Sequence, residues 1–195
     1  GGTDTLISIE QVRGSDFGDT LTGDETHLNT FLTSFSAQLF EGGAGNDTID
    51  GGGIAPGLVA VASYSSATGS VTVNLAQGWA ADGLGGQDTL RNIGFVAGGS
   101  LNDSLVGGGR SAQIISSNLF ESFEAGAGND TIDGGAGADR VVYSGGAINA
   151  NLATGLVQDG FGTTDTLSGI EQVRGSMAHD ILTGNSAGNA FEGRG

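Results

Sequence analysis

The residues best suited to chemistry are aspartates set among glycines. Residues 42–50 read GGAGNDTID, residues 125–133 read AGAGNDTID and residues 134–142 read GGAGADRVV. The first and third fit the nonapeptide G-G-x-G-x-D-x-U-x at every position, and the second misses only the leading Gly. Glycine accepts a positive φ, so such a turn is tight and its carbonyls can point inward. The sixth-place Asp sends a carboxylate to the same point, and the U residue enters the core. The turn returns to one side after two strands, so turns eighteen residues apart face each other. Carbonyl and carboxylate oxygens, about six at about 2.3–2.6 Å, are the donor set of Ca²⁺; zinc would require His or Cys. There is no Cys, and His27 and His179 are isolated, with no HExxH helix.

Composition narrows the elements that can position these turns. Of 195 residues 39 are Gly and one is Pro, against six Arg, no Lys and 22 acids, for a net charge of -16. Collagen and a disulfide scaffold are excluded, and a helix bundle is disfavoured because interior Gly costs roughly 1 kcal/mol relative to Ala. No run of about 18 apolar residues exists to span a membrane as a helix. The acidic balance excludes a nucleic-acid partner. Hydrophobic residues make up 37% of the chain, in short alternating runs rich in Val, Ile, Leu and Phe, which is a strand signature. A chain this acidic repels itself when bare and is expected to fold once a cation neutralises it.

Internal repeats set the architecture. TDTLISIEQVRGS (3–15) recurs as TDTLSGIEQVRGS (164–176), with a looser copy at 87–100. FEGGAGNDTIDGG (40–52) recurs as FEAGAGNDTIDGG (123–135), and VTVNLAQG (71–78) as INANLATG (148–155). We divide the chain into a first module (1–87), a second (88–164) and a partial third (165–195), in one continuous solenoid. Leu105, Ile114, Phe123, Ile132 and Val141 are spaced nine apart. One apolar residue per nine, with glycine turns between, predicts an all-β parallel β-roll whose rungs are stable only when stacked. Residues 24–38 and 108–122 add about one rung each on this count. Val71, Val73 and Leu75, and likewise Ile148, Ala150 and Leu152, alternate as half-buried strands.

These nonapeptides resemble the RTX, or haemolysin-type, calcium-binding repeats, and the modules are similar to the C-terminal β-roll of serralysin-type secreted proteases. The resemblance implies Ca²⁺ as cofactor, calcium-dependent folding, and type I export as an unfolded chain to the cell surface or medium. Neither an N-terminal signal nor a cysteine is present to oppose that route. Carried over by position, the metal-binding aspartates are Asp47, Asp130 and Asp139. The carbonyls come from Gly42, Gly43, Ala44 and Gly45, from Ala125, Gly126, Ala127 and Gly128, and from Gly134, Gly135, Ala136 and Gly137. Glu121 occupies a sixth place two rungs before Asp139 and can substitute as a carboxylate. Asp19, Asp103 and Asp180 hold sixth places in GSDFGD, GGSLND and GSMAHD and are further candidates. Pro56 stands where the next Asp of the first module belongs.

Other residues carry weaker readings. Asp50 and Asp133, at the ninth place, are expected to face solvent. Phe31, Phe35, Ile115 and Phe120 read as core. Arg13 and Arg174 are expected to pair with Glu10 and Glu171. No catalytic constellation is visible. Two alternatives stand beside the calcium-folded module: the non-catalytic C-terminal part of a secreted hydrolase, and an adhesive module that stacks a glycan on Trp79 near Asp82. Uncapped end rungs would favour self-association or contact with neighbouring modules of a longer array.

Overall fold

Most described strands are three residues long, and in nearly all of these the middle residue is the one turned inward, as in Thr131-Ile132-Asp133. The computed structural model describes residues 9–23, 36–53, 58–109 and 120–195. An eight-stranded, wholly parallel first sheet runs β1 (Gln11–Arg13), β3 (Ser36–Glu41), β5 (Leu58–Ser63), β9 (Phe95–Ala97), β11 (Glu121–Glu124), β13 (Asp139–Val142), β17 (Gln172–Arg174) and β19 (Ala190–Glu192). An eleven-stranded second sheet runs β2 (Thr20–Thr22), β4 (Thr48–Asp50), β8 (Gln87–Arg91), β7 (Trp79–Ala81), β6 (Thr72–Asn74), β10 (Ser104–Val106), β12 (Thr131–Asp133), β16 (Thr164–Ser168), β15 (Leu156–Gln158), β14 (Asn149–Asn151) and β18 (Ile181–Thr183). The chain crosses from one sheet to the other and back, so the fold is the expected all-β parallel β-roll.

Two features depart from a plain coil. After β5, and again after β13, the chain makes a three-stranded antiparallel meander in the second sheet before returning to the first. The repeated stretches at 71–78 and 148–155 are the first strands of these meanders, and Val71, Val73 and Ala150 are fully buried. Trp79 lies on strand β7, with Nε1 donating to Gln77 Oε1 (2.8 Å), and not in a glycine-rich loop. Nor does the nine-residue step persist throughout. Phe123 pairs with Val141, eighteen residues on, but Leu105 pairs with Ile132, 27 residues on. β1 likewise pairs directly with β3, and β9 with β11; of the additional residues, 24–35 and 110–119 lie outside the described residues. Ile114, Phe31, Phe35, Ile115 and Pro56 lie outside the described residues. Phe120 is half-buried under the Arg140 guanidinium, 4.0 Å from its ring centroid.

The core is a stack of columns. In the first sheet Val12, Phe40, Ala62, Val96, Phe123, Val141, Val173 and Phe191 follow one another in register. Phe123 is 0% exposed, whereas Phe191, on the end strand, is 41% exposed because nothing described stacks beyond it. Position in the stack should therefore set mutational cost. Phe123→Ala is expected to cost about 3–5 kcal/mol, and Phe191→Ala far less, in urea unfolding with calcium saturating. Equal losses would contradict the stacked core.

Candidate metal centres

Every crossing from the first sheet to the second passes along one edge, and aspartates line it. The Asp19 N–H donates to Asp47 Oδ1 (2.8 Å), and the Asp47 N–H to Asp88 Oδ1 (3.0 Å). Further along the edge the Val71 N–H donates to Asp103 Oδ1 (2.8 Å), the Asp103 N–H to Asp130 Oδ1 (2.7 Å) and the Asp130 N–H to Asp165 Oδ1 (3.0 Å). The Ile148 N–H donates to Asp180 Oδ1 (3.0 Å). One oxygen of each carboxylate thus takes up an amide that the short strands leave free.

The other oxygens divide the aspartates into two groups. Asp19 Oδ2 accepts from the Ser15 amide (2.6 Å) and hydroxyl (2.9 Å), and Asp103 Oδ2 from the Gly99 amide (2.6 Å). Asp88 Oδ2 accepts from the Tyr64 hydroxyl (3.1 Å), and Asp165 Oδ2 from that of Tyr143 (3.0 Å). By contrast Oδ2 of Asp47, Asp130 and Asp180 is buried with no partner. The turn shape explains the leading glycine. A Cβ on Gly42 or Gly175 would collide with the Oδ2 of Asp47 or Asp180 respectively. Ala125 takes that place in its own turn, and it belongs to the hydrophobic core.

The opposite edge carries a second group. Glu121 and Asp139 are register partners on β11 and β13, and the Asp139 N–H donates to Glu171 Oε2 (3.0 Å). Glu121 Oε2 accepts from the amides of Gly108 (2.8 Å) and Gly109 (3.1 Å), but its Oε1 is buried without a partner. Both carboxylate oxygens of Asp139 are buried without a partner, and the residue is 0% exposed. The glycines of turn 134–137 lie against neighbouring backbone: a Cβ on Gly134 would strike the Gly169 carbonyl and sit 2.6 Å from Asp139 Cβ.

Electrostatics mark the same groups. Burial pushes Asp130 up to about 7; the Asp103 amide opposes this, and the charges of Asp165, Asp103 and Asp159 add to it. Burial pushes Asp139 up to about 7; the charges of Glu121 and Glu171 add to this, and the nearby Glu121 amide opposes it. Asp88 and Asp165 rise to about 6, chiefly through burial. Asp47 and Asp103 also rise, again through burial. An ionised carboxylate held dry without a donor costs several kcal/mol. Oxygen-coordinated divalent cations are the natural counter-charge, and the all-oxygen donor set fits Ca²⁺. Among the described residues no three acidic or histidine side chains gather to hold an ion by themselves. An ion held there would have to take its remaining ligands from backbone carbonyls, which glycine turns permit.

The sequence reading missed several members of this arrangement. Asp88 and Asp165 served only as repeat markers. Yet Gln87-Asp88-Thr89-Leu90 alternates, and that alternation puts Asp88 on the buried face with Leu90. Tyr64→Phe or Tyr143→Phe would strip the donor from Asp88 or Asp165. Each is expected to cost about 1–3 kcal/mol in urea unfolding at saturating calcium, and no loss would remove the tyrosine from this role. The arginine expectation is corrected. Arg13 Nε pairs with Glu41 (3.6 Å) and Arg174 Nε with Glu192 (3.2 Å), their register partners on the next strand. Glu10 and Glu171 lie just before their strands, and the Glu171 carboxylate holds the Asp139 amide instead. Asp50 and Asp133 are half-buried, each accepting an amide two residues on (Gly52, 3.0 Å; Gly135, 3.2 Å).

Comparison with known proteins agrees with this geometry. The model of the RTX calcium-binding nonapeptide repeat matches in four copies, over residues 38–53 and 118–147. Those segments contain the turns of Asp47, Asp130 and Asp139, the three nonapeptide aspartates that leave an oxygen free. No curated protein matches the chain. Among the described residues no helix is long and apolar enough to cross a membrane. With its β-roll and its glycine–aspartate turns, the chain carries the RTX calcium-binding nonapeptide repeat in four copies.

Proposed function

We propose that calcium folds and stiffens this module, and that the module serves a secreted or cell-surface protein exported through a type I route. The observation that carries this reading is the set of buried, unpartnered carboxylate oxygens in a chain of net charge -16. Three centres follow. Asp47 would bind with carbonyls from Gly42, Gly43, Ala44 and Gly45. Asp130 would do so with those of Ala125, Gly126, Ala127 and Gly128. Asp139 and Glu121 would act with those of Gly134, Gly135, Ala136 and Gly137. Asp180 has a free oxygen too and is a further ligand candidate. Asp19 and Asp103 would first have to release the amides they hold, which makes theirs the weaker sites.

The mechanism is linkage. A cation that binds the folded coil and not the open chain stabilises it by RT ln(1 + [L]/Kd), about 2.7 kcal/mol per site at one hundred times Kd. Where calcium is scarce the acidic chain stays open and threads an exporter; where it is plentiful the turns close. Far-UV circular dichroism during a calcium titration of chelated protein tests this. A cooperative gain of β signal that magnesium does not reproduce is expected. A spectrum already folded in chelator at neutral pH, and indifferent to calcium, would refute it.

A further inference from the structure

Asp82 belongs to no nonapeptide. It follows β7 and opens the hairpin turn to β8. Its Oδ1 accepts three successive amides, from Leu84 (2.8 Å), Gly85 (2.9 Å) and Gly86 (2.8 Å). Its Oδ2 is buried without a partner, in a residue 1% exposed. That oxygen is aimed at the neighbouring RTX turn. A Cβ on Gly86 would lie 2.7 Å from Asp82 Oδ2 and would collide with the Gly45 carbonyl oxygen, so both oxygens border the same bare stretch of backbone. Asp47, in the same turn as Gly45, has its own buried free Oδ2, and the Asp82 charge acts on both Asp47 and Asp88. The hairpin is docked there by the Gln87 amide on Asn46 Oδ1 (2.8 Å).

The second module provides an internal comparison. Asp159 occupies the equivalent place and accepts amides of Phe161 (3.1 Å) and Thr163 (2.7 Å) on Oδ1. Its Oδ2, however, receives the Thr163 hydroxyl (2.6 Å), whose oxygen also accepts the Gly128 amide of the adjoining RTX turn (3.2 Å). Gly86 stands four residues after Asp82, as Thr163 stands four after Asp159. In the first module there is no hydroxyl to meet the carboxylate.

We propose that the Asp82–Gly86 hairpin and the RTX turn 42–47 form a mixed divalent-cation site, with Asp82 Oδ2, Asp47 Oδ2 and the Gly45 carbonyl as protein ligands and calcium as the fitting ion. The inference rests on the calcium reading of the RTX turns and extends it to a turn that is not a nonapeptide. The cation pins the first meander to the turn edge, a task the Thr163 hydroxyl performs in the second.

The chain's only tryptophan, Trp79, lies three residues before Asp82, roughly 10 Å along an extended strand, close enough to sensitise a bound lanthanide. The test uses the full chain, terbium as luminescent probe, and a calcium count by equilibrium dialysis. Asp82→Asn keeps the Oδ1 acceptor for the three amides and removes only the charge. It is expected to cut tryptophan-sensitised terbium emission and to weaken calcium binding at the Asp47 turn at least about tenfold, with the far-UV spectrum in saturating calcium unchanged. Thr163→Gly frees Asp159 Oδ2 and is expected to tighten calcium binding at the Asp130 turn without changing the count. Unchanged emission and affinity in Asp82→Asn, or an unchanged affinity in Thr163→Gly, overturns the proposal. A wild-type chain that binds no calcium would instead bring down the reading of the RTX turns itself.

Discussion

In the presence of chelator, acid should take the place of calcium: the protein is expected to be folded near about pH 5 and to lose its β signal as the pH rises through about 6–7. The sign follows from the direction of the shifts. Asp130 and Asp139 titrate at about 7 in the folded chain, and Asp88 and Asp165 at about 6, against an ordinary value of 3.8. Between those limits the folded state holds more protons than the unfolded one. Their contribution is therefore fully present below the unfolded value and is lost as the pH climbs through the folded one. Calcium should flatten this dependence, since a bound cation takes over from the protons. The same competition predicts that calcium affinity falls as the pH drops from neutral toward about 5, because the ligands must be deprotonated to bind. Circular dichroism against pH, with and without calcium, checks both statements. A chelated protein most stable at neutral pH would mean that the buried carboxylates have counter-charges of another kind.

The second large effect has opposite signs in the two states. Asp139→Asn should stabilise the chelated protein at neutral pH while it weakens the calcium-loaded one. Both Asp139 oxygens are buried without partners, between Glu121 and Glu171, so the bare carboxylate is a burden that a neutral amide relieves. In calcium the same substitution removes one of the few charged ligands of its turn, and affinity follows ligand charge. The expected result is an upward shift, in chelator, of the pH at which the β signal is lost, and a fall in Tm in saturating calcium. Calcium affinity at that edge should drop at least about tenfold. Asp103→Asn is the control. Both its oxygens already accept amides, so it should destabilise both states. If Asp139→Asn moved both states the same way, Asp139 would be a structural residue like Asp103.

The RTX turns were legible because their chemistry is local. Gly42 to Asp47 are consecutive, and glycine spacing with a following Asp fixes the turn shape without reference to the rest of the chain. The parallel coil was legible for a similar reason, since a repeat that cannot bury its own face must stack. What was not legible depends on which rung lies beside which. Asp130 contacts Asp103 and Asp165, 27 and 35 residues away, and no fixed nine-residue step predicts both. The second meander sets the larger of these separations, because it adds strands to the second sheet while the first sheet advances by one. The tyrosine–aspartate bonds and the Asp82 hairpin were hidden likewise: each joins residues whose closeness exists only after the meander has folded. The Arg13 partner was hidden in the same way: Glu41 meets it only through the register of β1 with β3.

The most direct test of the account is where calcium sits. Crystals of the calcium-loaded chain should give anomalous difference peaks in the turns of Asp47, Asp130 and Asp139, each about 2.3–2.6 Å from a carboxylate oxygen and several carbonyls. The turns of Asp19 and Asp103, whose oxygens hold their own amides, should show weaker peaks or none. Strong peaks at Asp19 and Asp103, with none at Asp47, Asp130 and Asp139, would contradict the claim that the free buried oxygens are the metal ligands.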